Sequence, residues 1–153
     1  MIYAGRFAGR NAIITGGASG LGLEAAKRIT AEGGKVCLWD LNPQSLASAQ
    51  KESGAVHTLA LDVSDAGAVE AAAADSKRVL GKIDILINSA GITGDTHAVI
   101  GYPIESWLKV MDVNVNGLFY CCRVVAPMMV ENGYGRIVNI SSVAGKEGNP
   151  NAS

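Results

Sequence analysis

The chain has 153 residues, of which 48% are hydrophobic, 18% charged and 5% aromatic, and its formal net charge is −1. One domain of this size buries roughly 70% of the surface its unfolded chain exposes, so a substantial core is within reach. A near-neutral balance offers no electrostatic footprint for nucleic acid or an anionic membrane, and neither is expected as a partner.

The first predicted element is a strand at 12–15, an apolar run that breaks into Thr15-Gly16-Gly17-Ala18-Ser19-Gly20-Leu21-Gly22. An amphipathic helix follows over 21–31 and stops at Gly33-Gly34. A strand that turns through glycines into a helix suits a diphosphate. The glycines allow close backbone approach, and the helix N-terminus supplies free N–H groups with partial positive charge. No lysine follows the turn, which excludes a nucleoside-triphosphate P-loop.

The second strand, 35–40, ends at Asp40, where a carboxylate is placed to accept both hydroxyls of an adenosine ribose. The alternative for Asp40 is a solvated strand-end acid. A 2′-phosphate would meet its charge, and Leu41 offers no compensating cation, so NAD is preferred over NADP. A helix over 43–51 starts with Asn42 as N-cap and Pro43 at its first position. The third strand, 56–61, ends at Asp62-Val63. There Asp62 could accept from the exocyclic amine of adenine while Val63 gives apolar contact; the alternative is an ordinary loop cap. A helix over 66–80, capped by Asp65, leads to a fourth strand at 83–88 and to Asn88-Ser89-Ala90-Gly91, small residues that leave room beside a cofactor. A long helix, 104–131, and a fifth strand, 136–141, complete the pattern.

The alternation predicts a doubly wound parallel α/β sheet of the Rossmann type, in a single domain over 1–153. No unbroken apolar run approaches the ~18 residues of a membrane span, and MIYAGRFAGRN has no leader-like core. Cys37, Cys121 and Cys122 lack repeated spacing, which argues against disulfides and zinc. A cytoplasmic protein without a metal site is expected.

Taken together, Thr15–Gly22, Asp62-Val63, Asn88-Ser89-Ala90-Gly91, Asn114-Val115-Asn116-Gly117 and Ile137-Val138-Asn139-Ile140-Ser141-Ser142 resemble the motifs of the classical short-chain dehydrogenases/reductases. The resemblance covers essentially the whole chain in the expected order. Ser89 departs from it, standing where the family usually has a second asparagine.

The resemblance implies a strand order of 3-2-1-4-5 and an NAD-dependent oxidoreductase. Hydride would move between nicotinamide and a secondary alcohol or ketone of polyol, sugar-acid or 3-oxoacyl type. It implies cofactor contacts at Gly16, Ser19, Gly20, Leu21, Gly22, Asp40, Leu41, Asp62, Val63, Asn88, Ala90 and Gly91. It assigns Ser142 to hold the substrate oxygen and Asn114 to support proton relay. For Asn114 the alternative is an amide satisfied by a backbone carbonyl, and Ser141 is expected to bond to backbone.

The family's tyrosine and lysine pair would fall just beyond Ser153, together with the last strands and helices. Tyr102, Tyr120 and Tyr134 precede Ser142, and none has a lysine four residues on. The 153 residues alone are therefore expected to be a truncated, inactive dinucleotide-binding fragment or assembly partner, and the fifth strand to expose its edge.

Among the remaining polar residues, His57 and His97 are read as surface or structural. Lys146, in Lys146-Glu147-Gly148-Asn149-Pro150, is a candidate for binding an anionic substrate group. On the long helix, Trp107, Leu108, Met111, Val115, Leu118 and Cys122 form the stripe expected to cover the sheet. Val110, Val113, Val124 and Val125 suggest a second apolar face, through which a homodimer or homotetramer would form. Pro127 is expected to kink the last turn.

Overall fold

Residues 2–147 are described by a computed structural model. Five parallel strands form one sheet in the order β3-β2-β1-β4-β5: β1 Asn11–Thr15, β2 Lys35–Asp40, β3 His57–Ala60, β4 Ile85–Asn88 and β5 Arg136–Asn139. The helices are α1 Gly20–Ala31, α2 Pro43–Ser53, α3 Ala66–Leu80, α4 Ile104–Met111 and α5 Leu118–Glu131.

Local chemistry explains the ends. The Asn42 side chain accepts from Ser45 N, and Asp65 accepts from Gly67 N and Ala68 N, each satisfying N–H groups that a helix start leaves open. Gly54 closes α2 in the left-handed region at φ 72°. β4 begins later than its apolar run suggests, although Ile83 and Asp84 are fully buried and Asp84 N–H donates to Asn11 O.

Both faces of the central strands are covered, as their continuous apolar runs require. On one side Ile13, Cys37, Trp39 and Leu86 pack with Val69, Ala73 and Val125. On the other, Ile14, Leu38 and Ile85 pack with Ala26, Ile29 and Leu46. Trp39 is fully buried, and its Nε1–H donates to Ser76 Oγ at 3.0 Å. The same hydroxyl lies 3.2 Å from the Cys37 sulfur. Burial pushes the Cys37 thiol up to about 11 and that of Cys121 up to about 12, which keeps both inert.

Two buried carboxylates tie the lower edge of the sheet. Glu32 accepts from Tyr3 N–H, Arg6 and Arg28, fastening the N-terminal segment under α1. Asp84 accepts from Asn11 N–H at 3.0 Å and from Arg10 and Lys82, both at 3.1 Å. Burial alone would raise each carboxyl, but these donors outweigh it and both sit below their ordinary values.

The long helix departs from expectation in two ways. It is not one α-helix: residues Asp112–Gly117 form a π-helical turn between α4 and α5. Its expected stripe also faces the wrong way, with Trp107 49%, Leu108 55% and Val115 48% exposed. The buried line is instead Gly117, Cys121, Val125 and Met129. A π turn adds a residue to the helical cycle and rotates everything after it. A helix apolar on most of its circumference gives periodicity nothing to choose between. Pro127 sits inside α5, which runs on to Glu131.

The absence of an unbroken apolar run also says less than expected. Averaged over an 18-residue window, 104–131 reaches a mean hydropathy of 1.3 with 22% of that window buried, enough by length and composition to cross a bilayer. In this fold its inner line packs on the sheet and on α3. β5 is one of the two edges of the sheet, opposite β3, and all four of its residues are exposed.

Two consequences are measurable. Ser76→Ala strands the Trp39 N–H in the core and should cost about 1–3 kcal/mol in urea unfolding. Because both carboxyls are lowered by folding, the stability they contribute is present above their unfolded values and is lost as pH falls through their folded ones. Unfolding free energy should therefore drop as pH falls from about 4.5 toward 2, and Asp84→Asn should flatten that acid limb while lowering the neutral plateau.

Candidate functional site

At the carboxyl ends of the strands the order reverses between β1 and β4, leaving a crevice where the two connections part. A cleft of about 520 Å³ opens there, within the range of small-molecule and cofactor sites.

β1 delivers the turn at its floor. Gly16 has φ 61°, and a Cβ there would meet Ala90 N and Ser89 O, each at 2.8 Å. Thr15 Oγ1 accepts from Ser89 N–H and Ala90 N–H at 3.1 Å, clamping the ends of β1 and β4 together. A Cβ on Gly22 would strike Gly16 O, so this glycine lets α1 close on the turn. At Gly20, φ is 53° and a Cβ would meet nothing within 4 Å, so its conformation requires glycine while the space above stays open. Ser19 caps α1 through its backbone and leaves its hydroxyl unused by the cap.

Asp40 has a structural task as well. Its Oδ2 accepts from Ala18 N–H and its Oδ1 from Asn42 N–H, both at 3.1 Å. One carboxylate thereby braces the glycine turn and the start of α2, and each oxygen keeps a second lone pair. Asp62 spends Oδ1 on Ser64 N–H and Ser64 Oγ, leaving Oδ2 without a partner among the described residues.

Ten of the predicted cofactor contacts line this one cleft: Gly16, Ser19, Gly20, Leu21, Asp40, Leu41, Asp62, Val63, Ala90 and Gly91. Gly22 acts from beneath. Asn88 does not line the cleft; strand alternation turns it inward, where its Nδ2 donates to Asn139 Oδ1 at 2.8 Å and to the Cys122 sulfur at 3.3 Å. Its buried Oδ1 has no partner.

Ser89, expected among the small residues beside a cofactor, also lines the cleft, and sequence reasoning missed Leu61, Ile92, Lys109, Val113 and Ile140. Adjacency to Asp62 and Gly91 could have found Leu61 and Ile92. The helix residues carry only the four-residue spacing of Lys109 and Val113, next to Asn114.

Asn114 lies in the π turn and grips the backbone of Ile92 at both ends, donating to Ile92 O at 2.8 Å and accepting from Ile92 N–H at 2.9 Å. It thus holds the cleft wall from behind and does not line the cleft. Ser142 lies two residues beyond Ile140 and is also outside the lining. Its Oγ accepts from Ala144 N–H at 3.1 Å, so Ser142, rather than Ser141, makes the backbone bond. Lys146 is exposed at the end of the 3₁₀ turn Val143–Gly145, and Gly148, Asn149 and Pro150 lie outside the described residues. His57 bonds Asp75 at 2.6 Å, and His97 meets Tyr102 edge-on.

A floor that excludes side chains, a helix start with a free hydroxyl, and two carboxylates with open lone pairs suit a dinucleotide. Residues 10–153 match the family model described as short chain dehydrogenase. The chain belongs to the short-chain dehydrogenase family. It is 65% identical over 152 residues to a protein of Sphingomonas sp. (strain SKA58) named 2-dehydro-3-deoxy-L-rhamnonate dehydrogenase (NAD(+)), an overlap of 99% of this chain and 61% of that one. It is 43% identical over 142 residues to 2-(R)-hydroxypropyl-CoM dehydrogenase of Xanthobacter autotrophicus (strain ATCC BAA-1158 / Py2), covering 88% of this chain and 57% of that one. A solved structure of NAD+-bound xylitol dehydrogenase superposes with a TM-score of 0.92 at 35% identity, covering 96% of this chain and 58% of that one. The chain therefore spans about three-fifths of the length of these short-chain dehydrogenases.

Gly16→Ala tests the floor. The new methyl would collide with the Ser89–Ala90 peptide in a strained backbone, so the variant should lose dinucleotide affinity more than tenfold by calorimetric titration.

Proposed function

We propose that residues 1–153 form the NAD-binding Rossmann domain of a dehydrogenase that oxidises a secondary alcohol on a sugar acid. The observation carrying this reading is the cleft that joins the Gly16–Gly22 turn to Asp40, with Leu41 rather than a cation next to Asp40 in the chain. The 65% identity to a relative named for an NAD(+)-linked sugar-acid dehydrogenase supports both cofactor and substrate class.

NAD, when bound, supplies the acceptor for hydride from the carbinol carbon. The rest is the work of this chain's residues. The turn and α1 hold the diphosphate, and Asp40 takes the adenosine ribose hydroxyls. Ser142, whose oxygen already accepts a backbone N–H, keeps its own O–H free to hold the substrate oxygen. Asn114 is a positioning residue that fixes the Gly91–Ile92 wall. Lys146 is the candidate partner for the substrate carboxylate.

The three free cysteines support a reducing, cytoplasmic setting. The exposed apolar line along 104–131 supports a homo-oligomer, with Phe119 57% and Val130 80% exposed. The family's tyrosine and lysine pair has no counterpart after Ser142 within these residues. Residues 1–153 by themselves are accordingly proposed to bind cofactor without turnover.

Calorimetric titration with NAD and NADP tests the reading. NAD should bind at least tenfold tighter, because a 2′-phosphate beside Asp40 pairs two anions. Tighter binding of NADP would overturn the cofactor assignment, and oxidation of a secondary alcohol by residues 1–153 alone would overturn the proposal of no turnover.

A further inference from the structure

Lys109 lies on α4 and is the one cation among the residues lining the cleft, where it stands with Asp40 and Asp62. It also lines a neighbouring hollow of about 460 Å³ beside Asp95 and Glu105. Its ammonium, like those of Lys35, Lys51 and Lys146, forms no ion pair or hydrogen bond with any described residue, whereas Lys27, Lys77 and Lys82 are each paired with a carboxylate. A charged donor held at the mouth of a binding cleft and bonded to nothing is available to a ligand.

Its place in the fold says which part of the ligand. A Cβ on Gly117 would lie 2.8 Å from Val63 Cγ2, so the π turn rests directly on the residue after Asp62. Val113 and Lys109 follow along the same helix toward its N-terminus, and both line the cleft. Lys109 thus shares the cleft with Val63 at the end of β3, where a dinucleotide bound as proposed above would set its adenosine half, with Val63, Val113 and Ile92 as apolar neighbours for a base.

Adenine presents an amine donor next to a ring-nitrogen acceptor, a pair that one side-chain amide can read. Here two side chains divide that task. We infer that Lys109 is a specificity residue for the adenine of the cofactor, donating to a ring nitrogen while the unpartnered Oδ2 of Asp62 accepts from the exocyclic amine. This rests on the dinucleotide reading of the cleft.

The test is calorimetric titration of residues 1–153 and the variant Lys109→Met with NAD and with its hypoxanthine analogue, which carries a carbonyl in place of the amine. The unmodified chain should prefer NAD by roughly tenfold. Lys109→Met should lose roughly tenfold in NAD affinity and much less for the analogue, because a base that Asp62 does not hold is not presented to the ammonium. The thermal midpoint should not move, since the side chain is exposed and makes no bond. Unchanged NAD affinity in the variant would overturn the inference. Equal losses for both ligands would overturn it as well, leaving only attraction to the diphosphate. Failure of the unmodified chain to bind NAD would instead overturn the dinucleotide reading itself.

Discussion

The contact between the ends of β1 and β4 is the constraint on which the rest of the site depends. Two parallel strands lie side by side at the point where their connections leave in opposite directions, and the crevice exists because their ends stay together. Thr15 Oγ1 takes the N–H groups of both Ser89 and Ala90, and Gly16 passes so close to that peptide that no Cβ fits. Remove either feature and the floor rises into the space a diphosphate would occupy. Buried hydroxyl acceptors and forced glycines are costly to leave unsatisfied or to replace, which makes the junction rigid.

Several residues around this floor brace the fold and the cleft at once. Asp40 braces the turn from below through Ala18 N–H while also lining the cleft. Asn114 consumes both ends of its amide on Ile92, so a polar group on an apolar helix is satisfied and the opposite wall is fixed in the same act. The π turn that carries it loosens the local helical pairing, and such turns recur where a helix must present a functional group. The walls of the cleft are thus fixed by fold-level bonds.

The two charged patches have different logic. At the lower edge of the sheet, Glu32 and Asp84 are buried and fully supplied with donors, so they contribute to stability and are unavailable to ligands. At the upper edge, Asp62 Oδ2 and Lys109 keep unspent bonding capacity beside a cleft.

Much of this was legible in the chain itself. Continuous apolar runs that alternate with capped helices determined a doubly wound parallel sheet, and the glycine turn with Asp40 determined where a dinucleotide would lie. These signals are local: they depend on spacing, capping and backbone freedom within a few residues. Tertiary structure decided what local spacing leaves degenerate. Asn88 reads like a pocket residue but faces the core, because strand alternation assigns its side from a register that neighbouring strands set. The long helix is apolar on nearly every face, so only the inserted π turn and the packing of Gly117 on Val63 determine that Cys121 and Val125 go inward while Trp107 and Val115 stay out. Lys109 reaches the cleft lining from α4, just before that turn, a placement that no periodicity in the sequence specifies.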